Sequence, residues 1–152
     1  LAAKKELGEC ISQAETAWLA DRYRLPQPRL SVPALLRGGV RAAMDISDGL
    51  LQDLGHICQL SKVRANVSLG KVPVSGAARA CLTANSTFYD HIMTGGDDYE
   101  LLLAVDPAFA LPPDAGGVPL TVIGCFEEGS GCHVTGISGR TWQVEKAGFK
   151  HF

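Results

Sequence analysis

Apolar positions set the rhythm of this chain, and the rhythm changes several times along it. Over residues 9–24, Ile11, Ala14, Ala17, Trp18 and Leu19 gather on one side of a helical period, and Pro26 and Pro28 follow. That pattern predicts an opening amphipathic helix. Residues 31–37, closed by Gly38 and Gly39, read as a short capped helix with a glycine stop. Residues 40–46 fit a strand. Leu50, Leu51, Leu54, Ile57, Cys58 and Ser61 then recur at helical spacing, so the chain passes directly from strand to helix through Ser47, Asp48 and Gly49.

Ala65, Val67 and Leu69 alternate with Asn66, Ser68 and Gly70, which predicts a half-buried strand, and a helix of small residues is expected over 77–82. Residues 99–105, stopped by Asp106 and Pro107, read as a central strand covered on both faces. Residues 118–126 read as another strand. Residues 129–139 read as turns around short strands, and Trp142, Gln143 and Val144 as a last short strand. Strand and helix patterns thus alternate along the chain.

Composition narrows the picture. A length of 152 residues with 46% apolar content fits one globular domain. The net charge of −2, without a basic stripe, argues against nucleic acid as a partner. No apolar run approaches the roughly 20 residues that cross a bilayer, and the start, Leu1 to Glu6, lacks a signal-peptide layout. A cytoplasmic protein with no membrane contact is expected. Cys10, Cys58, Cys81, Cys125 and Cys132 contain no C-x-x-C pair, so they read as reduced, mostly buried thiols. Cys125 with Cys132 and His133 matches no common zinc spacing.

Two clusters carry candidate chemistry. Asp45, Ser47 and Asp48 lie where the strand ends and the helix begins, with Gly49 easing the turn. Carboxylate oxygens suit magnesium, and the N–H groups that open a helix attract phosphate, so this corner can hold a metal–nucleotide complex. A plainer reading is that Ser47 or Asp48 caps the helix and Asp45 is solvated. The second cluster is Gly95, Gly96, Asp97 and Asp98, just before the apolar strand. Its glycines let a ligand approach the main chain, and its acids suit a metal, a cation or a hydroxyl. An ordinary glycine turn with solvated acids accounts for it equally well.

Asp45-Ile46-Ser47-Asp48-Gly49-Leu50, continued by Asp53-Leu54-Gly55-His56, resembles the D-x-S-D-G-L…D-L-G-H-I segment of thiamine-monophosphate kinases. Gly95-Gly96-Asp97-Asp98-Tyr99-Glu100-Leu101 resembles that family's G-G-[ED]-D-Y-E-L, and Gly148-Phe149-Lys150-His151-Phe152 its closing G-[aromatic]-x-H-F. The order and intervals of the three motifs are also similar, and together they span most of the chain from Pro28 onward. The resemblance implies a two-domain ATP-dependent enzyme of the aminoimidazole ribonucleotide synthetase superfamily, with an α+β fold for its C-terminal domain, a mixed sheet layered with helices. Residues 1–27 would be the opening helix and linker near the boundary with a missing N-terminal domain, and residues 28–152 the synthetase-type C-terminal domain.

Carried over by position, Asp45 and Asp48 would bind Mg2+, Ser47 would touch ATP, and Asp97 and Phe149 would contact thiamine monophosphate. The implied reaction is phosphorylation of thiamine monophosphate to thiamine diphosphate by the full-length protein, expected to be a homodimer, with this part inactive alone. No side chain is assigned as a catalytic acid or base. His56 reads as a buried, hydrogen-bonded helix residue, Trp18 and Trp142 as core or domain-contact residues, and the roles of Asp98 and Glu100 stay open. The alternatives are a related synthetase or hydrogenase maturation factor with another acceptor, or a non-catalytic interaction module.

Overall fold

The computed structural model of the chain describes residues 11–30, 32 and 38–143. Its elements, in order, are α1 (Gln13–Arg24), β1 (Val40–Asp45), α2 (Leu50–Ser61), β2 (Val63–Ser68), a 3-10 turn (Leu69–Lys71), α3 (Gly76–Ala84), α4 (Phe88–Thr94), β3 (Leu101–Val105), β4 (Asp114–Ala115), β5 (Val118–Pro119), β6 (Gly124–Glu128) and β7 (Gly131–Thr135). The short helix expected over 31–37, the strand residue Val144, Cys10 and the closing motif with Phe149 lie outside the described residues.

A sheet in the order β6-β2-β7 forms the main platform. It is mixed, because β2 runs antiparallel to β6 and parallel to β7. Helix α2 covers one face of it. Leu50, Leu54, Ile57 and Cys58 from α2 bury against Ala65 and Val67 of β2 and Val134 of β7, with Met93 of α4 and Leu102 of β3 completing the core. Helical and strand periods thus meet as the sequence pattern requires, and each fully buried leucine contributes about 1.5–3 kcal/mol. The fold is α+β, as expected.

β1 and β3 pair antiparallel, from Asp45 opposite Leu101 to Val40 opposite Val105. Leu102 faces the main core, whereas Leu101 and Leu103 pack with Val32 and Ala115 in a second cluster. Coverage of β3 on both faces is therefore observed. Its central position is not, since among the described residues β3 pairs with β1 alone.

Other expectations are corrected. Helix α1 starts with a capping box between Ser12 and Glu15, but it buries no residue, and Trp18 is 46% exposed. Trp18 is not a core residue, while Trp142 packs against the core. The strand expected over 118–126 divides into β5 and β6. Helix α4 occupies a stretch for which no element was expected. Cys58 and Cys81 are buried, whereas Cys125 and Cys132 are exposed, so the described cysteines form no disulfide but are not mostly buried.

Candidate active site

The two acidic clusters, distant in sequence, are joined by main-chain hydrogen bonds that continue the β1–β3 pairing past its end. The N–H of Ile46 donates to the carbonyl of Glu100 at 2.9 Å, that of Tyr99 to the carbonyl of Ile46 at 2.8 Å, and that of Asp97 to the carbonyl of Ser47 at 2.9 Å. Contact this close depends on glycine. A Cβ on Gly96 would lie 2.2 Å from the Ser47 carbonyl oxygen, and one on Gly49, whose φ is 108°, would lie 2.6 Å from the carbonyl oxygen of Thr94. Asp97 and Tyr99 adopt φ of 66° and 53°, a left-handed conformation that non-glycine residues rarely take. Such strain collects where the chain must aim side chains at a site.

Asp45 is exposed at the end of β1, and Ser47 and Asp48 are half-buried in the turn. The N-cap of α2 is Gly49, so neither Ser47 nor Asp48 occupies the cap position. Asp53, 1% exposed, is the buried charged residue among those described. Its Oδ2 accepts from the N–H of Ser47 at 2.9 Å and of Asp48 at 3.1 Å. Ligand atoms of Asp48, Asp53 and His56 all lie within 4.8 Å of one another. Asp45, expected with Asp48 to bind Mg2+, is not in that group.

His56 is exposed, which corrects its expected burial. The buried arc of α2 passes through Leu50, Asp53, Leu54, Ile57 and Cys58, and His56 falls outside it. Cys125 and His133 sit on opposite sides of Asn66 of β2. Cys132, one residue from His133 on β7, turns to the other face, where its sulfur lies 3.8 Å from that of Cys58 on α2. No zinc ligand set converges there.

Glu100 forms a two-pronged ion pair with Arg29, at 2.8 and 2.5 Å, which raises the guanidinium pKa further. Its carboxylate is engaged at the rim of the second cluster. Asp98 is exposed as a residue, yet desolvation of its carboxyl, with repulsion from Glu100 and Asp97, pushes its pKa up from 3.8 to about 6. Between these values the folded chain holds a proton that the unfolded chain has released, so stability falls as pH rises through this window. Asp98→Asn is therefore expected to raise the thermal midpoint at neutral pH. The gain should shrink as the pH is lowered to about 4.5. A gain that does not change with pH would contradict this.

Known proteins resemble this chain over most of its length. The family model for "AIR synthase related protein, C-terminal domain" matches residues 2–137. A thiamine-monophosphate kinase of Caulobacter vibrioides is 38% identical over 148 residues, 93% of this chain and 42% of that protein. The enzyme of that name from Aquifex aeolicus is 32% identical over 137 residues, 88% of this chain and 41% of that protein. The solved complex of AaThiL with AMPPCP and TMP superposes with a TM-score of 0.76 at 31% identity, covering 93% of this chain and 43% of that one. The chain thus spans about two-fifths of the length of the relatives it matches.

Proposed function

This chain belongs to the family of AIR synthase related proteins, matching their C-terminal domain, and from that premise we propose that it is the ligand-bearing second part of a thiamine-monophosphate kinase. The observation that carries the reading is the joining of the two acidic clusters through the bonds of residues 46–47 with 97–100. That junction supports one locus that receives a nucleotide on the Asp45–Asp48 side and an acceptor on the Asp97 side. Similarity to named kinases over 93% of the chain supports the choice of reaction.

The full-length protein transfers the γ-phosphoryl group of ATP to the phosphate of thiamine monophosphate. The bond between the β,γ-bridging oxygen and the γ-phosphorus breaks, a bond from an acceptor phosphate oxygen forms, and ADP and thiamine diphosphate result. The acceptor oxygen is already ionised near neutral pH, so no general base is needed, and alignment with charge neutralisation suffices. The carboxylate donors of Asp45 and Asp48 fit a hard cation such as Mg2+, which when bound offsets negative charge on the phosphates. Ser47 offers a hydroxyl to ATP, and the opening N–H groups of α2 offer donors to phosphate.

Asp97 holds the acceptor, and Phe149 stacks on its rings. An N-terminal domain supplies the rest of the pocket and pairs two copies into a dimer. Cys58, Cys81, Cys125 and Cys132, none of them in a disulfide, suit a reducing, cytoplasmic setting. The test is ADP release by the full-length protein with competing acceptors. Stimulation by thiamine monophosphate, but not by carbamoyl or formylglycinamidine compounds, is expected. Absence of stimulation by thiamine monophosphate would sink the assignment.

A further inference from the structure

We infer that Asp53 is a positioning residue, which sets the direction in which Asp48 and Ser47 present their oxygens. A carboxylate is a costly group to bury, and one that is 1% exposed must be held by strong donors. The donors here are the main-chain N–H groups of Ser47 and Asp48, both directed at one oxygen, Oδ2. Ordinary capping works in the other sense, with a residue before the helix reaching forward to its first N–H groups. Asp53 instead reaches back from the first turn of α2, past the Gly49 N-cap, to residues six and five positions earlier.

The same stretch is held from its other side, because the carbonyl of Ser47 accepts from Asp97. The peptide that carries Ser47 and Asp48 is thus clamped at its N–H groups by the helix and at its carbonyl by the second cluster. Hydrogen bonds to an ionised acceptor are roughly twice as strong as neutral ones, which suits a carboxylate to this task. Asp53 acts through Asp48 and Ser47, and it needs no contact with nucleotide.

The proposal rests on the kinase reading for its functional consequence but not for its geometry, and the test separates the two. In the full-length protein, Asp53→Ala is expected to raise the Mg2+ concentration for half-maximal phosphoryl transfer by about 10–100-fold. KM for thiamine monophosphate should stay within about twofold, since Tyr99 and Glu100 remain bonded to Ile46 and hold the Asp97 side in place. Asp53→Asn keeps an acceptor oxygen and is expected to recover most of the loss. Amide hydrogen exchange supplies a readout independent of activity: the Ser47 and Asp48 amides should exchange much faster in Asp53→Ala, with the α2 core unchanged, and stay protected in Asp53→Asn. Wild-type exchange in a folded Asp53→Ala protein would overturn the proposal. So would an Asp53→Asn protein that keeps amide protection but loses Mg2+ response as fully as Asp53→Ala, since that marks a direct metal ligand. If Asp53→Ala does not fold, loss of amide protection in Asp53→Asn overturns it. Failure of the wild-type protein to use thiamine monophosphate would remove the kinase reading and leave the exchange test standing.

Discussion

Asp48→Ala in the full-length protein is expected to lower kcat/KM for phosphoryl transfer by about 100-fold or more and to raise the Mg2+ requirement. Asp48 follows the end of β1 in a turn whose backbone is bound on both sides, so its carboxylate leaves from a fixed point. Its ligand atom lies within 4.8 Å of those of Asp53 and His56, a spacing at which the group could hold a cation. In phosphoryl transfer the protein contributes alignment and charge neutralisation, so removal of one metal-holding oxygen acts on the transition state itself. The N–H of residue 48 survives the substitution and still donates to Asp53, which keeps the turn in place. Normal Mg2+ dependence in a folded Asp48→Ala protein would show that the metal is held elsewhere. Asp45→Ala is the companion variant, and an unchanged Mg2+ response there would confine the ligand role to Asp48.

Gly96→Ala is expected to damage both halves of the site at once. The added Cβ would fall 2.2 Å from the Ser47 carbonyl oxygen and 3.2 Å from the Cα of Asp48, both main-chain atoms that no rotamer change can move aside. The two strands must part, and the bond from Asp97 to Ser47 is lost with them. Overpacking of this kind costs about 1–3 kcal/mol, readable as a lower urea midpoint with an unchanged m-value. Both KM values, for MgATP and for thiamine monophosphate, are expected to rise together. Gly55→Ala is the contrasting case. Nothing lies within 4 Å of a Cβ at Gly55, and the position is inside α2. That variant should gain about 0.5–1 kcal/mol from helix propensity, with activity unchanged. Equal stability losses in the two variants would remove steric contact as the reason for Gly96.

Much of this arrangement is legible in the sequence because local rules and tertiary packing agree there. The 3.6-residue recurrence of Leu50, Leu54, Ile57 and Cys58 and the alternation of Ala65 with Val67 each describe one buried face, and the structure sets those faces against each other. The strand-to-helix corner at Ser47 to Gly49 is legible for the same reason. Helix α4 was not, since 7 residues with Thr87 as an N-cap that makes no side-chain capping bond give little periodic signal. Residues 118–126 read as one strand, yet Pro119 has no N–H for a ladder, β5 pairs with β4, and the ladder with β2 includes only the residues from Gly124 onward. His56 reads as buried from its place one turn beyond Asp53, yet the buried arc of α2 runs through Asp53, Leu54, Ile57 and Cys58 and leaves it outside.

The meeting of the two clusters was legible only by resemblance, since bonds from residues 46 and 47 to residues 97–100 leave no mark on either local pattern. Asp53 was hidden for another reason. A carboxylate in the first turn of a helix ordinarily reads as an exposed group favoured by the helix dipole. Only the long reach back to Ser47 and Asp48 shows it as the anchor of the corner.

Phosphorus NMR of the full-length protein with ATP, Mg2+ and thiamine monophosphate tests the central claim most directly. The kinase reading predicts that resonances of thiamine diphosphate and ADP grow in equal amounts, that they stop when Mg2+ is chelated, and that they nearly vanish in Asp48→Ala. Conversion of ATP to ADP and inorganic phosphate alone, with thiamine monophosphate unchanged, would contradict it.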